Sequence, residues 1–196
     1  MDSISGSLYA LQAMSEKYDA IPYEKLDCQA FVEQVLKDCG VRKPDGSAYN
    51  WKGSNSMWRT ALAWKGTIQD CLTKYGAIPT GAWVFIVKYD GGEEERGYHD
   101  DQGNAKHVGI YCNPFSFDSV RDSTRTSKRD GVGYRPLDGF THVGLPKMII
   151  YNEETPPSDE EAVLTAIDTI RDNTRSAEEV LKALKTLTKY LKEATL

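Results

Sequence analysis

Between Asp27 and Gly40 the apolar residues Phe31, Val32, Val35, Leu36 and Cys39 recur at helical spacing and predict one amphipathic helix. Asp27 is a suitable N-cap, because its carboxylate can accept the orphan N–H groups of the first turn. Gly40 is a suitable stop, since it tolerates a left-handed cap. Cys28 lies three residues before Phe31 and four before Val32, at the N-terminal edge of the buried stripe. Two β-rich runs follow. Ala82 to Val87 comes after the turn Ile78-Pro79-Thr80-Gly81, and His107 to Cys112 forms the second. On the second run His107, Gly109 and Tyr111 share one face, and Val108, Ile110 and Cys112 the other.

The remaining pattern is less regular. Leu8, Tyr9, Leu11 and Met14 suggest a short helix. Ser56 reads as the cap of a helix running through Trp58, Leu62 and Ala63. After Gly66, the residues Ile68, Cys71 and Leu72 suggest another helical segment. Residues 115–119 and 148–151 read as further strands. The stretch from Lys88 to Lys106 reads as a long acidic flap, and Arg121 to Gly139 as a polar insertion. Residues 152–157, with two prolines, read as a linker. Beyond it Ser158 with Glu161, and Ser176 with Glu179, fit two capping boxes. The apolar stripes that follow must be buried somewhere. The expected organisation is therefore a domain over 1–151, a linker over 152–157 and a helical hairpin over 158–196. That hairpin packs on itself or on the domain, or else serves homo-oligomerisation or docking to another protein.

Composition narrows the function classes. The chain has 196 residues, 40% of them hydrophobic, and a formal net charge of −5 at pH 7. Such a length can bury a substantial core. The acidic balance, with no basic face interleaved with aromatics, argues against a nucleic-acid partner. No apolar run of signal-peptide or membrane-spanning length is seen, so a product made in the cytoplasm without membrane insertion is expected. The four cysteines show no CxxC spacing, and neither a metal nor a cofactor is expected. A His99/Asp100/Asp101 metal site is the weak exception.

The candidate chemistry rests on Cys28 and His107. A thiol at a helix N-terminus feels the positive end of the dipole, which can lower its pKa from about 8.5 to between about 3.5 and 7.5. The thiolate is the nucleophilic form. The alternative is that Cys28 is a small buried hydrophobe, as Cys39, Cys71 and Cys112 are read to be. Among the three histidines, His107 stands at a strand start beside Gly109, which leaves space next to the imidazole. His99 falls in a polar loop, and His142 is a secondary candidate on a late loop.

Asp27-Cys28-Gln29-Ala30-Phe31-Val32, then Gly81 to Phe85, then His107-Val108-Gly109-Ile110-Tyr111 resemble, in order and rough spacing, the NlpC/P60 superfamily of cell-wall peptidases. The resemblance covers about residues 18–151. It implies an α+β papain-like core with the catalytic helix packed on an antiparallel β-sheet. It further implies that Cys28 attacks an amide carbonyl, with its own backbone N–H as oxyanion donor, and that His107 carries the proton. A third polar residue on the next strand would orient the imidazole. Asp118 is the first choice, with Ser119 and Asn113 behind it. Tyr23, Asp27 and Trp58 are expected to touch substrate, and Trp51 and Trp64 are candidates with Trp58 to line the groove; the alternative for each tryptophan is a core aromatic at helical spacing. The implied substrate is a peptidoglycan peptide, cut after release from the cytoplasm or from within a phage particle. The alternatives are a related amidase or toxin effector on another amide, and a non-catalytic phage structural or binding protein that keeps the fold. In the family, serine and glycine often follow the cysteine where this chain has Gln29 and Ala30.

Overall fold

The chain divides into two units, Met1–Tyr151 and Asn152–Leu196. The computed structural model describes residues 3–19, 21–89, 98, 100–112 and 123–151, all within the first unit. The expected hairpin of 158–196, the linker 152–157 and the strand of 115–119 lie outside the described residues.

The architecture is α+β. Strands β2 (Leu62–Thr67), β3 (Trp83–Lys88), β4 (Asn104–Tyr111), β5 (Thr124–Lys128), β6 (Gly131–Arg135) and β7 (His142–Pro146) form one antiparallel sheet in the order β2-β7-β3-β4-β5-β6. A small parallel pair joins β1 (Ile4–Ser5) to β8 (Ile149–Ile150). The helices are α1 (Gly6–Ala13), α2 (Cys28–Asp38), α3 (Ser54–Thr60) and α4 (Ile68–Tyr75).

Helix α2 begins where Asp27 leaves the helical conformation and its Oδ1 accepts the Ala30 N–H at 2.8 Å. Its stripe is fully used: Phe31, Val32 and Val35 are completely buried and Leu36 nearly so. Burial of such side chains stabilises by about 1.5–3 kcal/mol each. They pack in one core with Trp83, Phe85 and Val87 of β3 and with Val108 and Ile110 of β4. The opposite face of the sheet carries a smaller core of Val84, Val143, Leu145, Phe140 and Cys71. The alternation along β3 and β4 thus buries both faces, with α2 on one of them.

Three local expectations need correction. The helix begun near Ser56 stops at Thr60, and Leu62 and Ala63 belong to β2, paired antiparallel with β7. Residues 123–135, within the stretch read as a polar insertion, form the β5–β6 hairpin around Arg129-Asp130, with Gly131 at φ +91°. Gly131, the first residue after the turn, takes this positive φ at no steric cost. The polarity of β5 misled, because Thr124, Arg125, Thr126 and Ser127 are all buried with their side chains hydrogen-bonded. His142 stands on β7 rather than a loop.

Candidate active site

The N-terminus of α2 meets the sheet where β4 and β5 separate. Their pairing joins Ile110 to Arg125 and Tyr111 to Thr124. Beyond Ile110, side chains replace the ladder. The Ser127 hydroxyl donates to the Leu26 carbonyl, just ahead of the helix. The Thr126 hydroxyl donates to the Val108 carbonyl at 2.6 Å. The Val108 N–H is turned to the Cys28 sulfur, as are the Gln29 N–H and the Tyr23 hydroxyl. The thiol therefore takes the place of a missing ladder acceptor, one residue along the strand from His107.

His107 leaves β4 on the face opposite Val108. It stacks on Phe140, with ring centroids 5.9 Å apart, and its Nε2 lies 3.1 Å from the Thr126 hydroxyl oxygen. Thr126 has a single hydroxyl proton, and Val108, a carbonyl, can only accept it. Toward the imidazole the hydroxyl must then accept. Nε2 therefore carries the ring proton, and Nδ1 is left with the lone pair of a base. The space expected beside Gly109 is filled from this side. A Cβ there would lie 3.1 Å from the Thr126 side chain and 3.2 Å from Phe140.

The electrostatics correct the expectation of an acidified thiol. Burial raises the Cys28 pKa, and the Asp27 carboxylate adds to the rise. The Val108 N–H, the Tyr23 hydroxyl and the Gln29 N–H oppose it without reversing it. Cys28 is only 6% exposed. For His107, burial first, then the positive charges of Lys128 and Arg135, lower the pKa from 6.5 to about 4. The thiol and the imidazole are thus both neutral near pH 7. Val108, whose N–H meets the sulfur, turns its side chain to the α2 face and His107 stands on the other, and neither group enters the other's electrostatics.

The other expected residues are placed as follows. Tyr23 is half-buried and reaches the sulfur; burial first, then Cys28 and Asp27, raise its pKa. Asp27 is exposed and is committed to capping α2. Trp58 is not a groove residue. It is 3% exposed, its indole N–H donates to the Gln102 carbonyl at 2.8 Å, and its ring packs edge-on against Phe85 and His142. His142 is buried, with Nδ1 2.9 Å from the Thr141 hydroxyl. Trp51 stacks on Tyr49 and Trp64 packs edge-on against Tyr75. The Gln29 side-chain amide donates to Glu33 and to the Trp51 carbonyl, so the side chain, unlike the backbone N–H, is not turned to the thiol. Asp118, Ser119, Asn113 and His99 lie outside the described residues.

Thr126 is the residue that sequence reasoning missed. Its signals were the alternation of Thr124, Thr126 and Lys128 and the Asp130-Gly131 turn that follows. Among the described residues no group of three His, Cys, Asp or Glu side chains is placed to hold a metal ion, and all four cysteines are free thiols. No helix among them is long and apolar enough to cross a membrane.

No family model, no curated protein and no solved structure matches this chain. The α+β class rests on the structure alone.

Proposed function

We propose that this chain is a papain-like cysteine hydrolase of amide bonds, of the NlpC/P60 type, acting on the stem peptides of peptidoglycan. One observation carries the chemistry. A cysteine at a helix N-terminus accepts the strand amide next to a histidine whose Nε2 proton is held by Thr126, which frees Nδ1 as the base. In this mechanism His107 Nδ1 takes the Cys28 proton as the sulfur attacks the carbonyl carbon. The first-turn N–H of Cys28, which the helix cannot itself satisfy, donates to the oxyanion. The imidazolium then returns its proton to the leaving amine. Water, with His107 again as base, releases the acyl group from sulfur. Among the described residues Thr126 acts as the imidazole orienter; Asp118, the residue expected in that role, lies outside them.

The wall substrate is supported by the order of the three motifs, and action after release or within a phage particle agrees with it. Incubation of the purified chain with peptidoglycan, followed by mass spectrometry, is expected to show stem-peptide fragments and to name the bond cut. Intact peptidoglycan after prolonged incubation would overturn the substrate. A binding-only protein is the second reading, favoured by the neutral, 6% exposed thiol. Binding to peptidoglycan unaltered by Cys28→Ala, with no fragments from the parent chain, would select it.

A further inference from the structure

The β5–β6 hairpin brings positive charge to the imidazole side of the site. Thr126, which holds His107 Nε2, is paired across the hairpin with Gly133. Lys128 and Thr124 stand on the same face of β5 as Thr126, and Arg135, paired with Thr124, stands on that face of β6. Gly133 leaves the face bare, and the Arg135 side chain folds back across it. A Cβ at Gly133 would lie 2.8 Å from the guanidinium. Lys128 is exposed, and Arg135 is half-buried. One arm of the Arg135 fork meets Asp130, whose side chain is 72% exposed, and another donates to the Tyr134 carbonyl at 2.8 Å. An ion pair that exposed is worth about 0–1 kcal/mol and exchanges readily for another carboxylate.

In the proposed reaction the leaving amine departs toward the imidazole that protonates it. The surface next beyond His107 and Thr126 therefore faces the amine side of the cut bond. We propose that Lys128 and Arg135 form a subsite on that side that selects a leaving group bearing a carboxylate. This deepens the cysteine-hydrolase reading and rests on it for the word "leaving". The anion site itself stands on the hairpin. A planar guanidinium offers a carboxylate two parallel donors, and the nearby ammonium adds a second charge. Asp130 holds the fork until substrate arrives. The positive charge of both residues is also felt at His107.

The test needs no turnover. Alkylation of Cys28 in the full chain is followed by peptide mass spectrometry with anionic iodoacetate and with neutral iodoacetamide. The ratio of the two rates is divided by the same ratio for glutathione. The parent chain is expected to favour iodoacetate by at least about fivefold over glutathione, an effect of two positive charges beside the imidazole that salt erodes. Lys128→Gln/Arg135→Gln should bring the normalised ratio to about one, and Lys128→Gln alone to an intermediate value. A ratio of one in the parent chain, or a raised ratio that the double variant keeps, overturns the subsite. Because labelling reads charge and not hydrolysis, an absence of wall digestion would sink the hydrolase reading and leave this result standing.

Discussion

Replacing Thr126 by valine tests the tautomer argument while keeping the shape of the side chain. Thr126 is fully buried, and its hydroxyl makes two contacts, donating to the Val108 carbonyl at 2.6 Å and accepting from His107 Nε2 at 3.1 Å. Valine leaves both partners unsatisfied beside a fully buried Val108. A buried polar group without a partner costs about 1–3 kcal/mol, so the variant should lose stability in that range. The catalytic effect is separate. If the bond to Nε2 holds the base in register with about 1–2 kcal/mol, its loss should lower kcat about 5–30-fold. KM should change little, because the hydroxyl touches the imidazole and not the substrate. Nitrogen NMR of the imidazole reads the tautomer directly. The parent chain should show the proton on Nε2, and the valine variant a mixture of tautomers. Thr126→Ser should restore both the tautomer and most of the rate. Parent-level kcat in Thr126→Val, with the proton still on Nε2, would refute the role of Thr126.

Three further predictions follow from burial and charge. Because the folded His107 pKa is depressed to about 4, below the ordinary 6.5, the unfolded chain binds the extra proton between those values. Stability should rise with pH across that window and be lost as pH falls through it. In a urea series His107→Gln should flatten this slope, leaving the smaller part due to His142, which burial also lowers; an unchanged slope would contradict the shift. The acid limb of kcat/KM should have its midpoint near pH 4, and a midpoint near 6.5 would contradict the depressed His107 pKa. Trp58→Ala should cost about 3–5 kcal/mol in a urea midpoint experiment, as a core truncation does, and a loss under 1 kcal/mol would return Trp58 to the surface.

The legible parts of this fold are those in which side-chain polarity and burial agree. The α2 stripe, its Asp27 cap, and the runs around Trp83–Val87 and Val108–Ile110 follow directly from periodicity. The position of Cys28 at the first turn of α2 follows from the same pattern. The illegible parts are those in which polarity is buried and satisfied. Strand β5 hides Thr-Arg-Thr-Ser inside the molecule. Arg125 alone reaches the Ala13 carbonyl, an ion pair with Asp19 and the face of Tyr134. Such a strand shows no apolar alternation, so only the spacing of its threonines and the Asp130-Gly131 turn point to Thr126. The thiol pKa was misjudged for a related reason. The helix dipole is visible in the sequence, but the burial of Cys28 in the core with Phe31 and Val32 is set by tertiary packing. Trp58 shows a third limit, because helical spacing does not tell which aromatic ring turns inward.

In the proposed mechanism Cys28 becomes the nucleophile when His107 removes its proton. Stem-peptide fragments released by the parent chain and by Cys28→Ala at equal folded concentration put this to the test. Fragments are expected from the parent and none from the variant, with the variant still binding peptidoglycan. Equal fragment release by the two proteins would contradict it.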